Sequence, residues 1–399
     1  MTATQPRGRK VQKAASKGRH PASRVAADGR GPRRPIGRRT PVFLALFATV
    51  MILTALGAVM VLSASAAESI ADTDSAWSLF RRQLMWVGLG TLAMLISMRV
   101  DYHRLKVFSG PLMVGSALLL IAVVLPGVGA SANGATRWLA FGGLRMQPSE
   151  LAKFAVILFV AELLSRSSRP MDNPAITVRP ITVVTVFVFF LLILQPHLGA
   201  ILVIGAIVMT MMFLAGAPLG RLSAMAGGGV LVAGLMVWRT PWRRERFLAF
   251  LDPTSDPNDA GYQTLQALGA ITEGGWTGLG LGGSYAKYGF LPFAHTDFIF
   301  AIIAEELGLI GAFAVVLGFV VIGVAGIRAA LNAPDRFGML LAVGITTWVV
   351  VQAVLNLGAV LSLLPVTGVT LPFLSFGGSS LVVTLAAMGV LLNVARQGN

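Results

Sequence analysis

The feature that most constrains this chain is a series of apolar stretches, each long enough to cross a lipid bilayer. A helix needs about 20 mainly apolar residues to span the hydrocarbon core. Charged residues make up only 12% of the chain, about half the share in a soluble domain. Because lipid offers the backbone no hydrogen-bond partners, these stretches are expected to be helical. The sequence therefore predicts an all-α integral membrane protein.

Apolar windows predict ten transmembrane helices within one membrane domain, residues 41–396. Pro196 and Gly199 interrupt the pattern after the fifth window, as expected for a tight turn between two spans. Polar residues that favour turns and flexible chain fill much of the segment 239–296, which is the largest piece not expected to span. The predicted spans lie near residues 42–66, 82–99, 111–127, 149–166, 178–195, 198–215, 220–238, 297–327, 337–363 and 376–395.

Lys and Arg concentrate in alternate connecting segments, and this asymmetry predicts the orientation of the bundle. Segments rich in Lys and Arg remain on the cytoplasmic side. Both termini are therefore predicted to be cytoplasmic, and residues 239–296 are predicted to form a large extracytoplasmic loop between spans 7 and 8. Four arginines in this loop break the rule, and they either pair with a glutamate and lipid headgroups or bind an anionic substrate. They are Arg239, Arg243, Arg244 and Arg246.

The N-terminal segment, residues 1–40, has a different composition from the rest of the chain. It holds 12 Lys and Arg against one acid, Asp28, out of a formal net charge of +15 for the whole chain. Gly, Pro, Ala and Ser dominate its other positions, so it has little to bury and is predicted to be a disordered cytoplasmic tail. Binding to anionic lipid is favoured over binding to nucleic acid.

Several familiar motifs are absent or out of context. The chain has no cysteine, which excludes disulfides and thiolate metal sites. Residues 278–283, GLGLGG, match a dinucleotide-binding pattern, but that pattern functions between a strand and a helix, whereas here it lies between spans. Asp252, Asp256 and Asp259 match no known cation-binding loop, and we interpret them as turn formers.

Ionisable residues at the ends of predicted spans are the candidate functional groups. A charge at the centre of a membrane helix costs about 2.5–3.5 kcal/mol on insertion scales, so it is usually paired and functional. Glu150 and Lys153 are i,i+3 neighbours that would form an ion pair, which either locks helices together or belongs to a binding site. Together with Arg137 and Arg145, Lys153 would make a cradle for phosphate or pyrophosphate.

Asp297 begins the predicted eighth span, and the residues alone leave two interpretations of it open. It is either an ordinary helix N-cap or a general base whose pKa is adjusted by partial desolvation. Glu305 and Glu306 lie deeper in the same span. We expect these two to hold the span against its neighbours.

Three blocks of the sequence resemble the SEDS family (shape, elongation, division and sporulation). The similarity extends over roughly residues 42–395, with the blocks in the family's order and spacing. The string SFGGSS is similar to the cell-division branch, FtsW, rather than to the elongation branch, RodA. The blocks read NGATRWLAFGGLRMQPSELAKF, the segment from FLDPTSDPNDAGYQ to HTDFIFAIIAEELGLIG, and TGVTLPFLSFGGSSLV.

This resemblance implies a ten-span peptidoglycan glycosyltransferase in the bacterial cytoplasmic membrane, acting at the division septum. Such enzymes polymerise lipid II into glycan strands on the outer face and release undecaprenyl pyrophosphate. The resemblance implies that Asp297 is the essential residue, and we expect it to act as the general base. The implied substrate-binding residues are Arg137, Arg145, Glu150, Lys153, His295, Gln263, Lys287 and Ser379.

The resemblance also implies the partners and a candidate cofactor. The partners are lipid II, the nascent glycan strand, a class B penicillin-binding protein transpeptidase and other divisome membrane proteins, without nucleic acid. A divalent cation, Mg²⁺ or Mn²⁺, is the candidate cofactor. However, Phe293 and His197 stand where family members usually carry Glu and Asp, which removes two potential metal ligands.

Two alternative functions remain at this stage, a lipid II transporter (flippase) and a non-catalytic division scaffold. Transport would favour ionisable groups at the bilayer midplane and internal repeats. The charges of this chain cluster near the outer ends of predicted spans instead, and no clear repeat is present. These two features favour chemistry at the membrane surface.

Overall fold

The chain forms a helical bundle in a computed structural model that describes residues 40–73, 75, 77–132, 135–141, 144–166, 171, 174–259 and 261–398. The predicted disordered tail lies outside these residues except for its last position. A short 3₁₀ turn, Tyr102–Arg104, precedes the third helix. The helices are α1 (Pro41–Thr73), α2 (Ser78–Arg99), α3 (Leu105–Val124), α4 (Pro148–Ser165), α5 (Val178–Leu194), α6 (Leu198–Leu214), α7 (Leu219–Arg239), α8 (Pro241–Leu251), α9 (Tyr262–Gly274), α10 (Ile299–Leu331), α11 (Arg336–Val360) and α12 (Ser379–Gln397).

Each predicted span coincides with one of these helices, and the chain is a multi-pass membrane protein. Six helical stretches of the described chain are long and apolar enough to cross a bilayer by themselves. Two further predicted spans, α5 and α6, are apolar but shorter. The six are Pro41–Ala66, Tyr102–Val124, Leu219–Arg239, Ile299–Leu331, Arg336–Val360 and Ser379–Gln397.

The two C-terminal helices form the centre of the bundle. The most apolar window of α11 is 61% buried and that of α12 is 78% buried, whereas that of α7 is only 6% buried. Helix α12 packs along α2, and α11 packs against α10, α6 and α4. The segment that connects α11 to α12 therefore starts and ends at well-buried helices.

The all-α prediction holds for the fold as a whole, and one small antiparallel sheet precedes α4. Its strands pair in the order β1 (Gly129–Ala132), β2 (Ala135–Phe141) and β3 (Leu144–Met146). Strands this short produce no apolar window that could be recognised in the sequence. Pro148 occupies the first turn of α4 directly after the sheet, where a proline costs no hydrogen bond. The sheet carries Arg137 on its central strand.

Helix α10 is broken at Gly308, whose backbone is non-helical (φ 66°, ψ −170°). The glycine-rich segment 274–283 fills the break. Leu279 and Gly280 donate their N–H groups to the carbonyls of residues 305 and 306, at 2.9 and 3.0 Å. In return the N–H groups of residues 309 and 310 donate to residues 275 and 276, at 2.9 and 3.3 Å. A helix break leaves backbone groups without partners, and this exchange supplies them.

Gly278 is a position at which this exchange is sensitive to substitution. Its φ is +79°, and a Cβ there would lie 2.1 Å from the carbonyl oxygen of Glu306. Gly278→Ala should therefore destabilise the purified protein by about 2 kcal/mol or more. The thermal unfolding midpoint in detergent measures the effect. The matched control is Gly229→Ala within α7, where a Cβ meets nothing within 4 Å. Equal midpoints for the two variants would contradict a structural role for the exchange.

Candidate active site

The backbone around Asp297 is held by three hydrogen bonds from residues much later in the chain. The carbonyls of residues 295–297 each accept one of them. The donors are Asn356 Nδ2 to Asp297 at 2.7 Å, Ser375 Oγ to residue 296 at 2.7 Å, and Phe376 N to residue 295 at 3.0 Å. Both α11 and the segment that follows it thus fix the position from which the Asp297 side chain projects.

Asp297 is not the N-cap of the helix that follows it. Helix α10 begins at Ile299, Phe298 occupies the cap position, and no side-chain hydrogen bond caps the helix start. This geometry removes one of the two interpretations that the sequence left open. Asp297 instead lines a cleft, here termed the Asp297 cleft, together with Asn356, Thr367 and Gly368.

Gly368 separates the carboxylate of Asp297 from the guanidinium of Arg137. A Cβ at residue 368 would lie 3.7 Å from Asp297 Oδ2 and 3.8 Å from Arg137 Nη1. The φ of Gly368 is +68°, a conformation that glycine adopts without strain. An atom at this position would therefore contact the acid and the cation together.

Burial and nearby cations act in opposite directions on Asp297. Burial raises the pKa of its carboxyl to about 6, while Arg137 and Arg246 oppose the rise. Burial also lowers the pKa of Arg137, the Asp297 charge counteracts this, and Arg243 and Arg246 lower it further by repulsion. A carboxyl whose pKa lies near the working pH is suited to general-base catalysis.

Arg137 is positioned by the turn between α5 and α6. Its Nε donates to the carbonyl of Gln195 at 3.2 Å, and Nη2 donates to the carbonyl of Pro196 at 2.5 Å. The side chain of Gln195 in turn donates to the carbonyl of Leu120 at 2.8 Å. The predicted turn is confirmed, and it serves to orient a cation of the candidate site.

Lys153 and Glu150 form a buried ion pair. Lys153 Nζ lies 2.8 Å from Glu150 Oε1, with both side chains less than 5% exposed. The same ammonium donates to Gln352 Oε1 at 2.6 Å and lies 5.1 Å from the centre of the Trp348 ring. Ser380 Oγ donates to Glu150 Oε2 at 3.0 Å. The pair therefore joins α4 to α11 and α12.

The three cations that the sequence grouped into one cradle do not share one environment. Arg137 lies beside the Asp297 cleft, Lys153 is enclosed, and Arg145 is exposed on strand β3.

Ser379, also expected to bind substrate, accepts a hydrogen bond from the backbone N–H of Gln147 at 3.0 Å and so connects the starts of α4 and α12.

Lys287 is engaged inside the protein. Its ammonium lies 3.0 Å from Glu306 Oε1 and donates to the carbonyl of Gly282 at 2.6 Å and to Ser63 Oγ at 3.2 Å. An ammonium has three donors, and all three are used here. The substrate-binding role expected for Lys287 stays a prediction.

Glu305 and Glu306 hold α10 to its surroundings, as the sequence predicted. Glu305 accepts hydrogen bonds from Ser284 Oγ and from the backbone N–H of Tyr285, at 2.5 and 2.7 Å. Glu306 accepts one from Ser63 of α1 at 2.6 Å. Both glutamates are fully buried and bonded to protein groups.

His295 and Gln263 both lie close to the candidate site, His295 against an aromatic ring and Gln263 in a separate cleft. The His295 ring packs edge-on against Phe376, with centres 5.8 Å apart, and is 9% exposed. Gln263 lines a second cleft, here termed the Arg246 cleft. Its lining is Arg246, Phe250, Gln263, Thr264, Ser362, Leu364 and Val366. Val366 also lines the Asp297 cleft, so the two clefts are neighbours.

Sequence reasoning missed the residues that position Asp297. Asn356 carries a signal that could have identified it, because it is a buried amide within an apolar span, where polar groups are costly. Ser375 lies in a block that was recognised, but nothing in the block indicates that its hydroxyl reaches residue 296. Gly368 lies in the same block, but nothing there indicates that it adjoins Asp297 and Arg137.

The residues around Asp297 do not form a protein-built site for a divalent cation. In the described part of the chain, no group of three or more His, Asp and Glu side chains could hold a metal ion. His197 accepts from the N–H of Ala200 at 3.4 Å and contacts the amide of Gln147 at 2.7 Å. Phe293 supplies no ligand. A divalent cation remains a prediction, and the glycosyl transfer proposed for Asp297 does not depend on it.

Together these features define a multi-pass helical membrane protein with one half-buried carboxylate facing a cleft beside arginines. Comparison with known proteins then identifies its family. The FtsW, RodA and SpoVE family of cell cycle proteins matches residues 43–399. The chain belongs to this family.

The relatives and solved structures agree with this assignment. A "Probable peptidoglycan glycosyltransferase FtsW" of Geobacter metallireducens is 39% identical over 354 residues, covering 89% of this chain and 94% of that protein. Stage V sporulation protein E of Bacillus subtilis is 40% identical over 359 residues, covering 90% and 98%. A chain from the structure described as "Structural coordination of polymerization and crosslinking by a peptidoglycan synthase complex" superposes with a TM-score of 0.73, at 33% identity, covering 88% of this chain and 96% of that chain.

Rod shape determining protein RodA of Thermus thermophilus has the same fold. Its crystal structure superposes with a TM-score of 0.65 at 30% identity, covering 88% of this chain and 96% of that chain. The fold predicted from the sequence is thus confirmed at the level of a RodA-like helical membrane protein.

Replacing Lys153 should affect folding, since removing one member of a buried ion pair leaves an uncompensated charge. Lys153→Met should destabilise the protein by about 3–5 kcal/mol. The double variant Lys153→Met with Glu150→Gln should recover much of this loss, because no buried charge is left. Thermal unfolding in detergent distinguishes the two. If the double variant is as unstable as the single one, the ion pair is not the cause.

Proposed function

We propose that this protein is a peptidoglycan glycosyltransferase that polymerises lipid II into glycan strands during septal cell-wall synthesis, with Asp297 as the general base. The observation that carries the proposal is that a Cβ built at Gly368 would lie 3.7 Å from the carboxylate of Asp297 and 3.8 Å from the guanidinium of Arg137. The names of the relatives agree with it, since several are called peptidoglycan glycosyltransferases.

The proposed reaction is a single displacement at the anomeric carbon of the diphosphate-linked donor sugar. The 4-hydroxyl of the acceptor sugar attacks that carbon, and its proton passes to the Asp297 carboxylate. As the new carbon–oxygen bond forms, the bond from the anomeric carbon to the diphosphate breaks, and its electron pair leaves with undecaprenyl pyrophosphate. Nearby guanidinium groups stabilise the charge that develops on the leaving group. One displacement inverts the anomeric centre and requires no protein nucleophile.

The proposed topology comprises ten spans with both termini in the cytoplasm. Residues 239–296 then lie on the extracytoplasmic side as the loop between spans 7 and 8, and Asp297 lies at its end. The distribution of Lys and Arg supports this orientation. A polyprenyl tail would remain in the bilayer while the sugar headgroup reacts at the outer surface. The division septum of the cytoplasmic membrane is the proposed location.

The proposed partners are a class B penicillin-binding protein transpeptidase and other membrane proteins of the divisome. The description of the similar solved structure refers to coordinated polymerisation and crosslinking in a peptidoglycan synthase complex. A polymerase that hands its strand to a transpeptidase would need such a partner. The assays below therefore include a cognate class B penicillin-binding protein.

Asp297→Asn should abolish polymerisation while the fold is retained, because the amide has the shape of the carboxylate but cannot accept the proton. The purified full chain is mixed with its partner and lipid II, and glycan products are separated by size. The matched control is Asp259→Asn, which neutralises an exposed carboxylate in the preceding loop. Glycan chains from Asp297→Asn at the rate of the unmodified protein would rule out its proposed role.

The pH dependence of polymerisation tests the same residue independently. Burial raises the pKa of Asp297 to about 6, so the base is protonated and inactive below this value. The rate should increase about tenfold per pH unit below pH 6 and level off above it. Initial rates measured between pH 4.5 and 8 at saturating lipid II would show this. A rate that is flat across pH 6 would contradict a titrating carboxylate base.

A further inference from the structure

Two buried polar atoms of the Asp297 cleft have no hydrogen-bond partner in the described part of the chain. They are the amide oxygen of Asn356 and the hydroxyl oxygen of Thr367, and both residues line the cleft together with Asp297. A polar atom buried without a partner destabilises the folded protein. Nearly all such atoms in native proteins are satisfied, so two exceptions in one cleft require an explanation. A ligand that supplies the hydrogen bonds is one.

The amide nitrogen of Asn356 fixes the orientation of this side chain, which is 3% exposed. Nδ2 donates to the carbonyl of Asp297 at 2.7 Å and to the carbonyl of Val369 at 2.8 Å. Because both partners are acceptors, a flipped amide would place its oxygen against two other oxygens. The nitrogen is therefore committed to the backbone, and the oxygen is available to a ligand. Asp297 and Val369 also line the cleft, so the amide lies at its wall.

Thr367 is placed by close packing against the start of α6. A Cβ at Gly199 would lie 3.2 Å from the carbonyl oxygen of Thr367 and 3.5 Å from its Cβ. A glycine at residue 199 thus allows the segment after α11 to approach α6. The next residue is Gly368, whose Cβ would contact both Asp297 and Arg137. The hydroxyl of Thr367 is therefore carried next to the position that contacts the acid and the cation.

The size of the Asp297 cleft restricts what it can hold. It has room for about one water-sized group. A sugar ring or a phosphate is too large for its interior, whereas a single hydroxyl fits. A hydroxyl can donate to the carboxylate of Asp297 and accept from the hydroxyl of Thr367. The amide oxygen of Asn356 requires a further donor, which is either a neighbouring hydroxyl of the same sugar or the second hydrogen of a water.

We propose that Thr367 and Asn356 form a hydroxyl-binding subsite that holds the 4-hydroxyl of the acceptor sugar against Asp297. This inference rests on the proposed function and adds to it the residues that select and orient the attacking group. Thr367 Oγ1 donates to the oxygen of the 4-hydroxyl, and the hydrogen of the 4-hydroxyl is donated to Asp297. One lone pair then remains for the attack. Asn356 Oδ1 accepts from the neighbouring hydroxyl of the sugar.

Thr367→Val tests the subsite, because it removes the hydroxyl and keeps the shape of the side chain. A buried hydroxyl without a partner adds nothing to stability, so the thermal unfolding midpoint in detergent should stay unchanged or rise slightly. With lipid II and the class B penicillin-binding protein, kcat/KM for polymerisation should fall about tenfold. Thr367→Ser keeps the hydroxyl and should retain most of the activity.

The matched control is Thr185→Val in α5. It removes another buried hydroxyl that has no partner among the described residues, and Thr185 does not line the cleft. Both the midpoint and kcat/KM should stay unchanged in this variant. Equal kcat/KM for Thr367→Val and Thr185→Val would overturn the proposal. A midpoint that falls by several degrees in Thr367→Val alone would also overturn it, because the hydroxyl would then have a structural role.

A modified substrate tests the subsite without requiring activity. The probes are lipid II and an analogue that lacks the 4-hydroxyl, 4-deoxy lipid II. Each is titrated into the full chain carrying Asp297→Asn, so that neither is consumed. We expect lipid II to bind about fivefold more tightly than the analogue, and this preference to disappear when Thr367→Val is added. If both probes bind equally although Thr367→Val slows polymerisation, the cleft holds a water and the proposal is wrong.

The two measurements distinguish failure of the subsite from failure of the proposed function. If the unmodified protein polymerises lipid II but Thr367→Val behaves as Thr185→Val does, the subsite alone is refuted. If a preference for the 4-hydroxyl depends on Thr367 but the unmodified protein forms no polymer, the subsite stands and the polymerase function is refuted.

Discussion

The candidate site depends on the hydrogen bonds that hold the backbone of residues 295–297 from Asn356, Ser375 and Phe376. A carboxylate works as a base only when it is held within reach of its proton. The donors belong to α11, 61% of whose most apolar window is buried, and to the segment leading to α12. The backbone at Asp297 is therefore fixed by hydrogen bonds from the interior of the bundle.

The charged groups of the chain divide into two functional classes. Lys153 and Lys287 are enclosed in ion pairs with glutamates and join helices that are distant in sequence. Arg137 and Arg246 are close enough to Asp297 to influence its pKa. Buried ammonium groups thus organise the bundle, while guanidinium groups surround the candidate reaction space. Arginine suits the second role because it remains charged at every working pH.

The sequence predicted the helices well because apolar length is a strong local signal. It missed the sheet of residues 129–146, whose strands of three to seven residues have no such signal. It also predicted no role for GLGLGG, although residues of this segment donate hydrogen bonds to the carbonyls of α10 next to its break at Gly308. Pairing between two segments depends on their arrangement in space, which local composition does not encode.

The sequence by itself determined that the chain is a membrane protein, because burying polar groups in lipid is costly and long apolar stretches are therefore a strong signal. It left Asp297 open between a helix cap and a base, and the family resemblance singled it out as the essential residue. Only the tertiary structure decided the roles of the cations. It enclosed Lys153 between α4, α11 and α12, exposed Arg145 on β3 and placed Arg137 beside Gly368 and the Asp297 cleft. These outcomes follow from packing between segments that are distant in sequence, which has no signature in the spacing of residues along the chain.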